Sequence, residues 1–313
     1  MVPKPTTRTD GTAPRGKRPA GKGAGAPRGR EFAVRRILIA LDASPHSLAA
    51  LEEAAALAER LRAELVGLFV EDINLLHLAD LPGAPVVSRL AGGGPDARIL
   101  HELRALAGQA RRALEAAGRR SGVPASFRVS RGRVAAELIR AAEEADLLVM
   151  GWAGRAWADP FEFRRIGVDT ARLGGTARRV AAEAARSVLL LRHGTRVAGP
   201  MLVAYDGSPG ASRALAAACG IGVRNHEPLS VLILADDAAA ARKLTQRARG
   251  WLGRRGVEAR FLYEDRASPG RLCAKLGEAG ASLLVLNADS PLLAGAPGEA
   301  LLDKIACPAM LVR

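Results

Sequence analysis

Along this chain, short unbroken apolar runs alternate with stretches in which apolar residues recur every three or four positions. The first run, Ile37 to Leu41, opens "RILIALDASPHSLAALEEAAALAERLRAELVGLFVED", and a run of that length reads as a strand covered on both faces. Asp42 ends it. Ser44 then caps a helix with Pro45 in its first turn, and Leu48, Leu51, Ala55, Ala58, Leu61 and Leu65 follow at helical spacing. "AELVGLFVED" supplies a second strand, Asp96 to Gly118 a long helix, "VPASFRVS" a third strand, Val134 to Ala145 a helix and "ADLLVMG" a fourth strand. Alternation of this kind needs crossover connections, so it predicts a parallel sheet with helices on both faces.

The pattern then starts again. "GPMLVAYDGSPGASRALAAA" repeats "RRILIALDASPHSLAALEEA", with Asp206, Ser208, Pro209, Ala214 and Leu215 offset by 164 positions from Asp42, Ser44, Pro45, Ala50 and Leu51. "LLVLNA" from Leu283 repeats "LLVMGW" from Leu147 at offset 136, and "LLDKIACPAMLVR" repeats "VAAEAARSVLLLR" at offset 121. The falling offsets make the second copy shorter. The first carries extra residues in two loops, "INLLHLADLPGAPVVSRLAGGG" and the stretch after Gly154, and "HGTRVAG" links the copies. The expected division is a basic tail over 1–33, a first domain over 34–193, a linker over 194–199 and a second domain over 200–313.

Composition adds constraints. Aromatics make up only 4 % of the 313 residues, so the cores must be built from Ala, Leu and Val. The three cysteines, Cys219, Cys273 and Cys307, are widely separated, which fits reduced, buried thiols. No apolar run approaches the roughly 20 residues that span a bilayer, and the N-terminus lacks a secretory apolar core, so a cytoplasmic location is expected. Half of the net charge of +14 lies in residues 1–30, where Lys4, Arg8, Arg15, Lys17, Arg18, Lys22, Arg28 and Arg30 face Asp10 alone. Without an apolar face this tail reads as disordered. A solvated tail is the simpler reading, and weak attraction to nucleic acid or an anionic membrane is the other. The remaining positive charge, mixed with acids along helices, reads as ordinary solvated surface.

The stretch "MGWAGRAWADPFEFRRIGVDTARLGGTARRV", Met150 to Val180, carries the candidate chemistry. Together with "ILIALDASPHSLAAL", "AAELIRAAEEADLLVMGWAG", "LGGTARRVAAEAARSVLLLR", "MLVAYDGSPGASRAL" and "CPAMLVR", it resembles the universal stress protein family in its tandem two-domain form. The resemblance implies an α/β fold of two tandem open parallel five-stranded sheets, order 3-2-1-4-5, with helices on both faces. In the family's nucleotide-binding members ATP, accompanied by Mg2+, lies over the carboxyl ends of strands one and four, where the reversal of strand order leaves a crevice. Their motif is Gly, two residues, Gly, nine residues, Gly and then Ser or Thr. Glycines let backbone amides approach phosphate oxygens, and the last pair opens a helix whose amides and dipole favour an anion.

Carried onto this chain, the implied nucleotide contacts are Asp42, Ala43, Val70, Met150, Gly151, Gly154, Gly174, Gly175 and Thr176. Gly151 and Gly154 match the first glycine pair, and Gly174 and Gly175 align with the last glycine and its Ser or Thr. The spacer has 19 residues instead of nine; pairing Gly175 with Thr176 makes it 20. Two readings of the 155–173 insertion stand side by side. Its Trp157, Phe161 and Phe163, with Arg155, Arg164 and Arg165, form either a lid that brings arginines to the phosphates or a plug that closes the crevice. In the second copy Asn287, Ala288, Asp289 and Ser290 replace the glycine loop, so that site reads as degenerate and its implied role is pairing with the first copy through the fifth strands. A homodimer is left open.

Catalysis finds little support. His46, His77, His101, His193 and His226 show no metal-ligand spacing, and neither a nucleophile elbow nor a Lys-bearing phosphate loop is present. His46 reads first as a solvated helix-start residue. The sequence thus points to a regulatory stress-response module that takes an adenine nucleotide in its first half, with at most slow ATP hydrolysis. Its alternative is an interaction protein with a closed crevice.

Overall fold

The computed structural model describes residues 1, 32–75, 95–154, 172–222, 227–265 and 268–313. Almost all of the basic tail, most of the first extra loop, the insertion's rings and arginines at 155–165, and His77 and His226 lie outside the described residues.

The first half runs β1 (Arg36–Leu41), α1 (Pro45–Leu61), β2 (Glu64–Asp72), α2 (Pro95–Ser121), β3 (Ala125–Gly132), α3 (Val134–Ala142), β4 (Leu147–Gly151), α4 (Gly175–Glu183) and β5 (Ser187–Leu191). The second half repeats the order with β6 (Met201–Tyr205), α5 (Pro209–Gly222), β7 (Leu229–Leu234), α6 (Ala238–Gly253), β8 (Arg260–Glu264), α7 (Pro269–Ala279), β9 (Leu283–Asn287), α8 (Gly295–Lys304) and β10 (Ala309–Val312). Local chemistry sets these bounds. Ser44 caps α1 by accepting from the Ser47 amide, and Arg62 closes it in the left-handed region, so Leu65, grouped by spacing with the helical stripe, belongs to β2. At the end of α3 the amides of Glu143 and Glu144 turn back to the carbonyls of Arg140 and Ala141, which tightens the last turn and stops the helix short of Ala145.

The strands form one ten-stranded sheet in the order β3-β2-β1-β4-β5-β10-β9-β6-β7-β8. This corrects the expectation of two separate five-stranded sheets. Each half does keep the order 3-2-1-4-5 and is parallel throughout, but β5 and β10 zip together antiparallel, with Leu190 opposite Ala309, Leu189 opposite Met310 and Val188 opposite Leu311. The cause lies in what an edge exposes. Every residue of both strands is buried, and an apolar edge strand left open would bare unpaired amides and carbonyls.

Two cores flank the sheet. One packs α1, α2, α5 and α6 and is lined by Ala50, Leu51, Ala54, Ala55, Ala211, Ala214 and Ala217; the other packs α3, α4, α7 and α8. Alanine-rich helix faces let helix and sheet approach closely, which is how a chain this poor in rings fills its interior. Among the described residues no helix is long and apolar enough to cross a membrane.

Candidate functional site

Four chain segments meet at the carboxyl ends of β1 and β4. Leu41 lies opposite Phe69 of β2, so Asp42 and Val70 sit side by side one residue further on. Asp42 builds the turn between β1 and α1. Its Oδ1 accepts from the Ser44 amide at 2.9 Å while its own amide donates to Ser47 Oγ at 3.3 Å. Between them Ala43 takes a left-handed backbone, φ 58°, a conformation that strains any residue with a Cβ. The second half makes the same turn without that strain: Ser208 donates to Asp206 Oδ1 at 2.9 Å, and Gly207 occupies φ 82°.

β4 brings Met150 and Gly151 to the same level, both buried. A Cβ at Gly151 would press on the backbone and Cβ of His46 at 3.2 and 3.3 Å, so glycine lets β4 end close against the first turn of α1. The chain then crosses over Asp42, where a Cβ at Gly154 would come within 3.0 Å of Asp42 Oδ2. Gly174 returns beside this loop and donates to Trp152 O at 2.9 Å, while Trp152 donates to Leu191 O at 2.7 Å. Gly174 is the N-cap of α4 and offers no side-chain acceptor. Gly175 and Thr176 are exposed, and among the described residues nothing lies within 4 Å of a Cβ built at Gly175. Among those residues the first amides of α4 thus have no side-chain cap, with the positive end of the helix dipole behind them.

All nine sequence-derived residues thus lie on segments that converge at this end of the sheet, from β1, β2, β4 and the start of α4. Several partners were not legible in the sequence. Leu173 donates to Asp303 Oδ1 at 2.8 Å, and Arg178 bonds Asp303 at 3.2 Å and Glu299 at 2.7 Å, so α8 of the second half fixes the start of α4 in the first. Arg178 is spent on these acids. Trp152 is fully buried, with the Arg192 guanidinium 4.2 Å from its ring centroid. His46, expected to be solvated, is half-buried; its ring meets His193 edge-on at 5.8 Å, and its Nδ1 is sealed with no hydrogen-bond partner. Burial first, and then His193, pushes the His46 pKa down against the pull of Asp42. Apart from Trp152 and Arg192, these contacts join residues more than 100 positions apart, and the only sequence signal was that His193 begins the linker.

At the corresponding place in the second half, Asn287 ends β9 where β4 ends in Gly151, and its side chain crowds the position of a Cβ on Gly210 of α5. The two halves trade the glycine across the same contact. Ser290 caps a short 3-10 turn, Pro291–Leu293, which buries Leu292, and the Leu293 backbone leaves no room for a side chain at Gly298 of α8. Among the described residues no group of three or more His, Cys, Asp or Glu is arranged to hold a metal ion.

Comparison with known proteins places this geometry. No curated protein sequence matches the chain. Among solved structures, a universal stress protein from Archaeoglobus fulgidus superposes with a TM-score of 0.66 at 19 % identity, covering 90 % of this chain and 97 % of that one. A protein of unknown function from Pseudomonas aeruginosa PAO1 superposes with a TM-score of 0.53 at 16 % identity, covering 90 % of this chain and 93 % of that one. Identities this low speak for the fold. The family model described as the universal stress protein family matches residues 33–192, half of the chain and all of β1 to β5, and on that match the chain belongs to the universal stress protein family.

Proposed function

We propose that the protein is a cytoplasmic regulatory module of the stress response that binds one adenine nucleotide per chain, over the carboxyl ends of β1 and β4. The observation that carries this reading is the paired opening at Gly154 and Gly175. One glycine clears the space above Asp42, and the other leaves the first amides of α4 uncapped and unobstructed. A glycine loop beside an uncapped helix start suits an anion, because backbone amides approach it closely and the helix dipole favours it. In this reading Val70 and Met150 flank the base, Asp42 and Ala43 meet the adenosine moiety, and Gly151, Gly154, Gly174, Gly175 and Thr176 receive the phosphates. Mg2+ would enter with the phosphates, as this hard cation usually keeps several waters and few protein ligands.

The second half serves as a support. Asn287 and the turn at Pro291–Leu293 stand where the first half has its glycine loop, while Asp303 and Glu299 hold α4 in place. Acid extraction of the purified protein, followed by chromatography of the supernatant, tests the proposal together with calorimetric titration of the stripped protein with ATP. Co-purified adenine nucleotide or single-site binding supports it; a clean extract with no heat of binding for ATP, ADP, AMP or cyclic AMP refutes it and favours the closed-crevice interaction protein.

A further inference from the structure

Away from the crevice, α6 and the turn after it carry a run of exposed cations with no acid among them. From Ala238 to Val257 the chain holds Arg242, Lys243, Arg247, Arg249, Arg254 and Arg255 and not one acid. All six are exposed. Elsewhere some exposed arginines find carboxylates, as in Arg111–Glu115, Arg120–Glu52, Arg128–Glu144 and Arg179–Glu183, while others, such as Arg62, Arg104 and Arg119, stand singly among acids of the same element. Among the described residues none of the six on α6 forms an ion pair. The even mixing of charges expected from the sequence therefore fails on this helix, because its acids, Asp236, Asp237 and Glu258, all fall beyond its ends.

The arrangement is ordered as well as positive. With about 3.6 residues per turn, Lys243, Arg247 and Arg254 share one stripe and Arg242 and Arg249 the next, over roughly 18 Å of helix. Toward the C-terminal end two guanidinium groups lie on rings: Arg255 is 3.7 Å from the centroid of Trp251, and Arg249 is 5.1 Å from that of Phe261 in β8. A guanidinium backed by a ring is held in place and still offers its outer face and its N–H fork.

We propose that the solvent side of α6 and the turn after it, edged by Arg247 and Arg254 on one flank and by Arg249 on the other, with Arg255 on Trp251 at its end, is a binding surface for single-stranded nucleic acid. Arginine outnumbers lysine five to one here, which suits bidentate contact with phosphates. Ring-backed guanidinium planes are platforms on which unpaired bases stack. A membrane fits less well. Among the described residues the large exposed apolar side chains are Met1, Val129 and Tyr263, none of them on α6, so this face has no wedge to sink between lipids. The proposal does not depend on the nucleotide site, which lies on other elements.

The test is fluorescence anisotropy of a labelled oligouridylate with the full chain across a salt series. Because residues 1–30 are also basic, two charge-matched variants are compared: Arg249→Glu with Arg254→Glu on the helix, and Arg15→Glu with Lys17→Glu in the tail. The helix pair should weaken binding at least about tenfold and flatten the log–log salt slope by about 1.4, the share of two lost phosphate contacts on a single strand. The tail pair should bind more tightly than the helix pair. Arg249→Lys with Arg255→Lys keeps the charge, so the slope should stay while affinity falls several-fold; this milder pair also decides the matter if the glutamate pair does not fold by circular dichroism. Wild-type binding by the helix variants, loss confined to the tail pair, or capture of phosphatidylglycerol vesicles without oligouridylate would overturn the proposal.

Discussion

Gly154→Asp puts the phosphate loop to its most direct test. The structure sets the magnitude. A Cβ at this position already lies 3.0 Å from Asp42 Oδ2, so the new carboxylate must turn away from Asp42 and into the opening proposed for the phosphates. Two unit charges about 4 Å apart repel by about 1 kcal/mol in bulk water and about 4 kcal/mol at an effective dielectric near 20. Gly154 is exposed on one side, which favours a value between these limits, about 2–3 kcal/mol. At about 1.4 kcal/mol per decade, ATP affinity should fall roughly 30- to 150-fold. Gly154→Ala isolates the steric part: the neighbouring oxygen has to yield by a few tenths of an ångström, and the loss should be well under that of the charged variant. Calorimetric titration at fixed ionic strength reads both. Wild-type affinity in Gly154→Asp would refute the reasoning, because a phosphate cannot share that opening with a carboxylate at no cost.

Three further outcomes follow from the same geometry. Asp206→Ala should leave ATP affinity within about twofold and the stoichiometry at one per chain, since the second half has Asn287, Ala288, Asp289 and Ser290 where the first has its glycine loop; a second site seen by calorimetry would contradict this. Leu190→Ala, at a fully buried position of β5 opposite Ala309, should cost about 2–5 kcal/mol in a urea or guanidinium titration, whereas a loss below about 1 kcal/mol would mean that the β5–β10 junction is not packed as described. His46 has its pKa lowered in the fold, so below its ordinary value the unfolded chain binds the extra proton and the native state does not. Stability of the wild type should therefore fall more steeply than that of His46→Gln as pH drops from about 7 to about 5, and parallel pH profiles would show that His46 is not desolvated.

Much of the architecture could be read from local pattern alone. Five-residue apolar runs mark buried parallel strands, the Asp-x-Ser-Pro turns mark helix starts, and the repeated spacing gives two copies of one succession of elements, because periodicity and capping are short-range properties of the chain; the strand order within each copy was implied by the family resemblance. The convergence of Asp42, Val70, Met150 and the two glycine pairs followed from topology, since strand order 3-2-1-4-5 brings the carboxyl ends of β1 and β4 together. What depended on long-range packing could not be read this way. The single ten-stranded sheet arises because two buried edge strands complete each other's hydrogen bonds; nothing within either strand names its partner, and the pairing through the fifth strands was expected only from the family resemblance. The bond from Leu173 to Asp303, the seating of His46 against His193 and the exchange of glycine between Gly151 and Gly210 each join residues far apart in sequence. The acid-free run from Ala238 to Val257 was legible in the sequence, but the seating of Arg249 on Phe261 of β8 was not, because only the fold brings β8 beside α6.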